Sequence, residues 1–176
     1  SYLVELRTAE TLPDVKCNHI SARSMELFRS LGISQDLRAA GLPDNYPHDV
    51  SYRTSTLGEE IARIHIPGRN TRLTDHSGPD GHWPTPEPPH RINQRYIEPI
   101  LRRHVQKQSL ITCLFRHQVV SFTQDEHQVA AQIQNLDSPE SPAFNLTAAY
   151  MVGCDGGRSM VRKGMGAKLV GDEVVQ

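Results

Sequence analysis

The stretch from Pro43 to Pro89 holds eight of the chain's twelve prolines. Proline lacks the backbone N–H and its ring clashes with the preceding turn, so no long helix or central strand can run through residues 43–92. Two strand-like runs interrupt the stretch, 49–55 and 61–66. In the second, Ile61, Arg63 and His65 alternate with Ala62, Ile64 and Ile66, a period that predicts a sheet with one wet face. Residues 70–90 read as loop.

The flanks are more regular. Tyr2, Leu3 and Val4 are strand formers at the very start, with nothing before them to supply a partner. Ile20, Leu27, Phe28 and Leu31 fall at helical spacings, with Asn18 or Ser21 as the cap and Gly32 as the left-handed stop. A shorter helix follows, capped by Ser34, carrying Leu37 and ended by Gly41. From Gln94 a stripe of Ile97, Ile100, Leu101, His104 and Val105 predicts another helix. Pro99 is tolerated only in a first turn, which sets the start near Tyr96. Strands are expected over 110–115, 117–123 and 127–135, the last two closing a hairpin at Gln124-Asp125-Glu126. A further strand, 146–154, runs into Asp155-Gly156-Gly157 and a short basic helix, 159–163.

Several classes of function are disfavoured. The 19 basic and 20 acidic residues nearly cancel, leaving a net charge of −1, so no broad field draws the chain to nucleic acid or anionic lipid. No run approaches the roughly 18 apolar residues of a membrane span, and the start has no leader pattern, so a cytoplasmic location is expected. Cys17, Cys113 and Cys154 are odd in number and widely spaced, which predicts reduced thiols rather than a disulfide framework or a metal clip. His76, His82 and His90 share the proline-rich loop, but their spacings fix no common face, and no metal site is expected. Gly-x-Ser-x-Gly is missing, which disfavours a hydrolase.

Tyr150 to Arg162 is the most informative segment. An apolar strand delivers the carboxylate of Asp155, two glycines let the backbone approach a bulky group, and a helix follows with Ser159 as a candidate cap. That order suits a polyphosphate cradle. A plain strand-to-helix turn, in which Asp155 and Gly156 merely suit the backbone, is the competing reading.

The string Gly153-Cys154-Asp155-Gly156-Gly157-Arg158-Ser159-Met160-Val161-Arg162 resembles the Asp-Gly signature of the flavin-dependent aromatic hydroxylases, single-component FAD monooxygenases of the para-hydroxybenzoate and phenol hydroxylase type. Two further segments are similar to that family in order and spacing. Residues Asn18 to Ile33 resemble its helix after the second strand. Trp83 to Gln94, with Glu98-Pro99-Ile100-Leu101, resembles its substrate-domain loop and following helix. The resemblance covers nearly the whole chain.

It implies an α/β fold of the GR2 type, a Rossmann-like FAD-binding sheet with an inserted antiparallel sheet over the flavin, here incomplete at both ends. Residues 1–45 and 93–176 would belong to the FAD-binding domain and 46–92 to the substrate domain. It also implies site residues. Lys16 stands where the family has a cation on the FAD diphosphate, a point charge in place of an arginine fork. Arg23 would reach the same anion or the ribityl chain, with a solvated helix-face charge as the plain alternative. Gln94 matches a glutamine bonded to the flavin side chain, and Val119 and Val120 match the strand whose backbone meets adenine. Asp155 matches the motif's aspartate, which helps hold the cofactor, with a capped turn as its competitor. Glu5 is the candidate carboxylate for the adenosine ribose, although counting back from Lys16 puts Leu6 at that position, and a one-residue slip reverses the face.

The family's first phosphate turn, GxGxxG, is not found, and neither is its second flavin motif, Gly-Asp-Ala-x-His. The chain therefore reads as an internal slice of a longer protein, inactive by itself and without a nameable catalytic residue. The function implied is part of a monooxygenase that hydroxylates a small phenolic substrate with O2 and NADPH or NADH, and a homodimer is allowed. Polyketide or isoprenoid quinone substrates would use the same cofactor motifs. The alternative from another class is a truncated, non-catalytic flavoprotein fold acting as a binding or interaction module.

Overall fold

The computed structural model describes residues 1–6, 17–78 and 86–171. In chain order these form β1 (Tyr2–Glu5), β2 (His19–Ile20), α1 (Ala22–Ser30), α2 (Ser34–Ala40), β3 (Val50–Arg53), β4 (Glu60–Ile64), β5 (His90–Arg91) and α3 (Gln94–Gln106). β6 (Thr112–Phe115), β7 (His117–Gln124), β8 (Val129–Asn135), β9 (Phe144–Ala148) and α4 (Met160–Gly164) follow. The chain divides into two units, one from Ser1–Ala9 with Leu110–Gln176 and one from Glu10–Ser109.

In the first unit, β1 finds its partner far along the chain. It pairs in parallel with β6, Tyr2 opposite Thr112 and Glu5 opposite Phe115. A parallel pair needs a long crossover, which residues between them supply. β7, β8 and β9 form an antiparallel meander. The register shifts between Val119, opposite Ile133, and Ser121, opposite Gln132, leaving Val120 as the extra residue of a β-bulge. Arg116, at φ 56, turns the chain from β6 into β7, and its guanidinium reaches Asp137 at 3.0 Å. The expected strand over 146–154 is shorter than its composition suggested. The ladder ends at Ala148, and Tyr150 and Val152 beyond it are 88% and 82% exposed, because no described strand offers their backbone a partner.

The second unit is built on Ile20, Met25, Ile33, Leu37, Ile92, Ile97 and Ile100, with Phe28 and Leu101 packed against them. Each such side chain contributes roughly 1.5–3 kcal/mol by leaving water. These positions come from α1, α2, α3 and the β2–β5 bridge; Ile20, Phe28, Ile97, Ile100 and Leu101 of the stripes read from the sequence reach this core, whereas Leu27 and Leu31 are 54% and 52% exposed and Met25 fills the inner face of α1 instead. Ser21, not Asn18, caps α1, its hydroxyl accepting from the Ser24 amide at 3.3 Å, and Gly32 ends it at φ 76. Ser34 does not cap α2. It is the first helical residue, Ile33 holds the cap position without a side-chain bond, and burial of Ile33 fixes the entry instead.

α3 starts two residues earlier than the proline rule indicated. Asn93 caps it, its Oδ1 accepting from the Arg95 amide at 3.0 Å, and Pro99 lies inside. The buried Ile97 and Ile100 hold the helix together across the missing N–H. β3 and β4 form the expected antiparallel pair, but every residue of both strands is exposed, so the ribbon has two wet faces rather than one. Alternation gave the pleat correctly; no described element covers either face.

Candidate functional site

Glu5, Val120 and Asp155 lie in the first unit, Arg23 and Gln94 in the second. Lys16 lies outside the described residues. β1 ends at Glu5, so Glu5 is the carboxylate at the strand's last position, and Leu6 beyond it is 52% exposed. Arg23 projects from the first turn of α1 and pairs with Glu26 at 2.9 Å. Gln94 opens α3, half-buried, and its amide donates to Glu98 at 3.0 Å.

The Asp155 carboxylate turns back onto its own chain. It accepts from the Ser159 hydroxyl at 2.5 Å, from the Met160 amide at 2.6 Å and from the Val161 amide at 3.3 Å. Ser159 in turn accepts from the Arg162 amide at 2.9 Å. The hydrogen bond from Ser159 leads the causes that hold the Asp155 carboxyl below its ordinary value. The segment therefore forms the capped turn that the sequence left open beside the cradle, and Asp155 itself occupies the first amides of α4. Gly156 takes φ 77, which the turn requires, and space is open where side chains on Gly156 and Gly157 would stand.

Beside this turn, within the same unit, runs a groove of about 510 Å³ bounded by Val120, Phe122, Arg158, Met160 and Lys163. The bulged Val120 is 44% exposed at its wall. Among the described residues neither Arg158 nor Lys163 has an ion-pair partner. Apolar walls with two unpaired cations suit a flat, anionic ligand such as a nucleotide, and the open glycine backbone next to it suits close approach. FAD is such a ligand, and these residues fit it. The sequence reading named Val120 but passed over Arg158 and Lys163; the signal was the basic character of the helix that follows the two glycines.

The second unit has its own cleft of about 640 Å³, lined among others by Asn18, Tyr46, Asp49, Arg63, Arg91 and Tyr96. Arg91 donates to the His48 carbonyl at 2.9 Å, while its buried Nε has no partner among the described residues. His90, one of the three loop histidines, is buried and bonded at Nε2 to the Leu37 carbonyl at 3.0 Å, which accounts for it as a packing group. His82 lies outside the described residues, and among those described no group of three potential ligands could hold a metal. The three cysteines are free. No helix of the described residues is long and apolar enough to cross a membrane.

Comparison with known proteins accords with this geometry. The model of the FAD binding domain family matches residues 1–176. An FAD-dependent monooxygenase of Penicillium oxalicum, opdD, is 31% identical over 156 residues, covering 87% of this chain and 29% of that protein. Phenol 2-monooxygenase of a Pseudomonas species is 30% identical over 148 residues, covering 84% of this chain and 23% of that protein. Among solved structures, the flavin-dependent monooxygenase PieE in complex with FAD and substrate superposes with a TM-score of 0.81 at 27% identity, over 97% of this chain and 28% of that one. The rebeccamycin biosynthetic enzyme RebC gives 0.74 at 32% identity, over 93% of this chain and 29% of that one. The chain thus spans between a quarter and a third of the length of most of these relatives.

Proposed function

The chain belongs to the FAD binding domain family, and from that premise we propose that it supplies part of the FAD site of a monooxygenase that hydroxylates a phenolic ring with O2 and NADH or NADPH. The observation that carries this reading is the groove of the first unit, where the bulged Val120 stands beside Arg158 and Lys163, cations without an ion-pair partner among the described residues.

A bulge leaves one residue's backbone out of the ladder, free to meet the edge of a base. We assign Val120 to adenine, Arg158 and Lys163 to the phosphates, and Glu5, at the end of β1, to the ribose hydroxyls. Asp155 acts through the turn it caps, fixing Gly156 and Gly157 where a cofactor can approach. Gln94 and Arg23 are assigned to the flavin side chain and Lys16 to the diphosphate, with residues 46–92 taken as part of the substrate domain. FAD, when bound, supplies the redox chemistry that activates O2. These side chains bind and orient it. A phenolic substrate is supported by relatives that include a phenol 2-monooxygenase and a 2,4-dichlorophenol 6-monooxygenase.

The test is to purify the full-length protein that carries this chain and record its visible spectrum. A yellow protein that consumes NADH or NADPH faster in the presence of a simple phenol, and forms the hydroxylated product, supports the reading. A colourless protein that takes up no added FAD ends it.

A further inference from the structure

His65 stands between two carboxylates. Its Nδ1 lies 3.1 Å from Asp49 Oδ1 and its Nε2 lies 3.0 Å from Asp75 Oδ2. Asp49 precedes β3, His65 follows β4, and Asp75 lies in the loop beyond, so one imidazole joins both ends of the ribbon to the segment 73–78. We propose that His65 is a protonation latch: its imidazolium ties that segment to the base of the β3–β4 ribbon, and loss of one proton releases it.

The reason is the hydrogen inventory of the ring. A carboxylate only accepts, and a neutral imidazole has one N–H, so it satisfies one of the two carboxylates and turns a lone pair toward the other. Both contacts are favourable only when both nitrogens carry hydrogen. Because neither nitrogen is left over, the ring is not a free base for catalysis; it is a clasp. A second feature closes the segment on the same residue. A Cβ on Gly78 would overlap the His65 carbonyl, so the loop returns to pack against the His65 backbone.

The other groups facing the ring fix how the latch behaves. Asp49 also accepts from the Ile66 amide at 2.9 Å and from Arg63 at 2.9 Å, and Arg63 is paired in turn with Glu60 at 2.6 Å. Asp49 therefore stays anchored to the ribbon whatever the state of His65. Asp75 accepts otherwise from Ser77, at 2.6 Å to the hydroxyl and 3.0 Å to the amide, within its own loop. Ile66 and Asn70 are held without His65, through the Ile66 amide on Asp49, the His48 amide on the Ile66 carbonyl at 3.0 Å and the Asn70 amide on the Asp44 carbonyl at 3.1 Å, so what His65 supplies is the tie to Asp75 and the turn around it. The hydrogen bond with Asp75, together with the charge of Asp49, raises the affinity of the imidazole for its proton above the ordinary value. A group whose pKa is raised on folding contributes fully below the unfolded value of 6.5 and loses that contribution as the pH rises through the folded value. The latch is shut in mild acid and opens toward alkaline pH. None of this depends on the flavin reading.

The experiment is hydrogen exchange with mass spectrometry on the full-length protein across pH 5.5–9, corrected for intrinsic exchange, with histidine C2-proton exchange reporting the midpoint of His65. Expected are a His65 midpoint above 6.5 and loss of protection in peptides covering 73–78 through that midpoint. His65→Arg, which can bridge both carboxylates at every pH, should keep the segment protected throughout. His65→Gln should leave it unprotected throughout, while α3 peptides keep wild-type protection and show that the fold survives. Asp75→Asn should bring the midpoint back toward 6.5. Protection of 73–78 that does not change with pH in the wild type overturns the proposal, as does a His65→Gln variant with the wild-type profile.

Discussion

Arg38 meets Glu87 at 2.8 Å with their side chains only 4% and 11% exposed. The same guanidinium donates to the Pro88 carbonyl at 2.6 Å and the Pro89 carbonyl at 3.1 Å. One side chain of α2 thereby holds the end of the proline-rich stretch, whose proline-flanked carbonyls have few neighbouring N–H groups to satisfy them.

Arg38→Ala is therefore expected to be severe. It takes the 2.8 Å partner from a buried carboxylate, whose other cation, Arg29, stands 3.9 Å away, and removes the donor to two carbonyls. Breaking one side of a buried ion pair costs about 3–5 kcal/mol. Urea denaturation should show that loss as a lower midpoint with an unchanged slope, and Glu87→Gln, which keeps an acceptor for Arg38, should lose less.

Two glycines with different surroundings should respond differently to the same change. A Cβ on Gly41 would overlap the His90 ring and come 2.7 Å from the Arg91 carbonyl, whereas a Cβ on Gly157 meets nothing within 4 Å. Gly41→Ala should destabilise by about 1–3 kcal/mol through overpacking, displacing His90 from the Leu37 carbonyl. Gly157→Ala should be close to neutral in thermal unfolding.

These contacts also mark how far the sequence could be read. The helices at 22–30 and 94–106 were legible because period and caps agree along one short segment, but the buried face of α1 was not, since Met25 is inside while Leu27 and Leu31 are exposed. The exposure of the β3–β4 ribbon was not, because alternation fixes the pleat and says nothing of what lies on either face. Pro99 misled because a rule about N–H groups was weighed without the burial of Ile97 and Ile100, which only the packed core supplies. At the candidate site, Asp155 was found by its motif, yet its partner Ser159 and the groove cations became specific only when the turn folded them together. The bulge at Val120 has no sequence signal at all; it follows from the register of β7 against β8.

Ser159→Ala should weaken α4. The hydroxyl accepts from the Arg162 amide and donates to Asp155, and losing such a cap costs about 1 kcal/mol. The same variant should change the acid response. Asp155 titrates below its ordinary 3.8 in the folded chain, so its contribution is present above that value and is lost as pH falls through the depressed folded pKa. Without the hydroxyl, loss of α4 amide protection in acid should begin at a higher pH.

Arg158→Ala and Lys163→Ala test the nucleotide groove. If both cations meet phosphate, each removal should weaken FAD binding by about tenfold, the scale of one charge-assisted contact in a solvated groove. The loss should shrink as ionic strength rises, because the contribution is screened. Fluorescence titration of the full-length apoprotein with FAD at two salt concentrations measures both; affinities unchanged by either substitution would remove the groove from the site.

His48 should make this unit sensitive to acid in the sense opposite to His65. It is 4% exposed, stands edge-on to His19 at 5.5 Å between ring centroids, and burial, reinforced by the charges of His19 and Arg91, pushes its pKa down to about 4. Its Nδ1 has no hydrogen-bond partner among the described residues, so a second proton gains no acceptor there. The unfolded chain takes up that proton near 6.5 and the folded chain does not until about 4, so stability falls between those values as pH is lowered. Each unit of difference is worth about 1.4 kcal/mol, which gives about 3 kcal/mol by pH 4. His48→Phe, which keeps a ring in the same space, should remove this part of the acid loss. Urea midpoints at pH 7 and pH 4.5 should differ less in the variant than in the wild type, and an equal difference in both would mean that the buried imidazole is not the group being titrated.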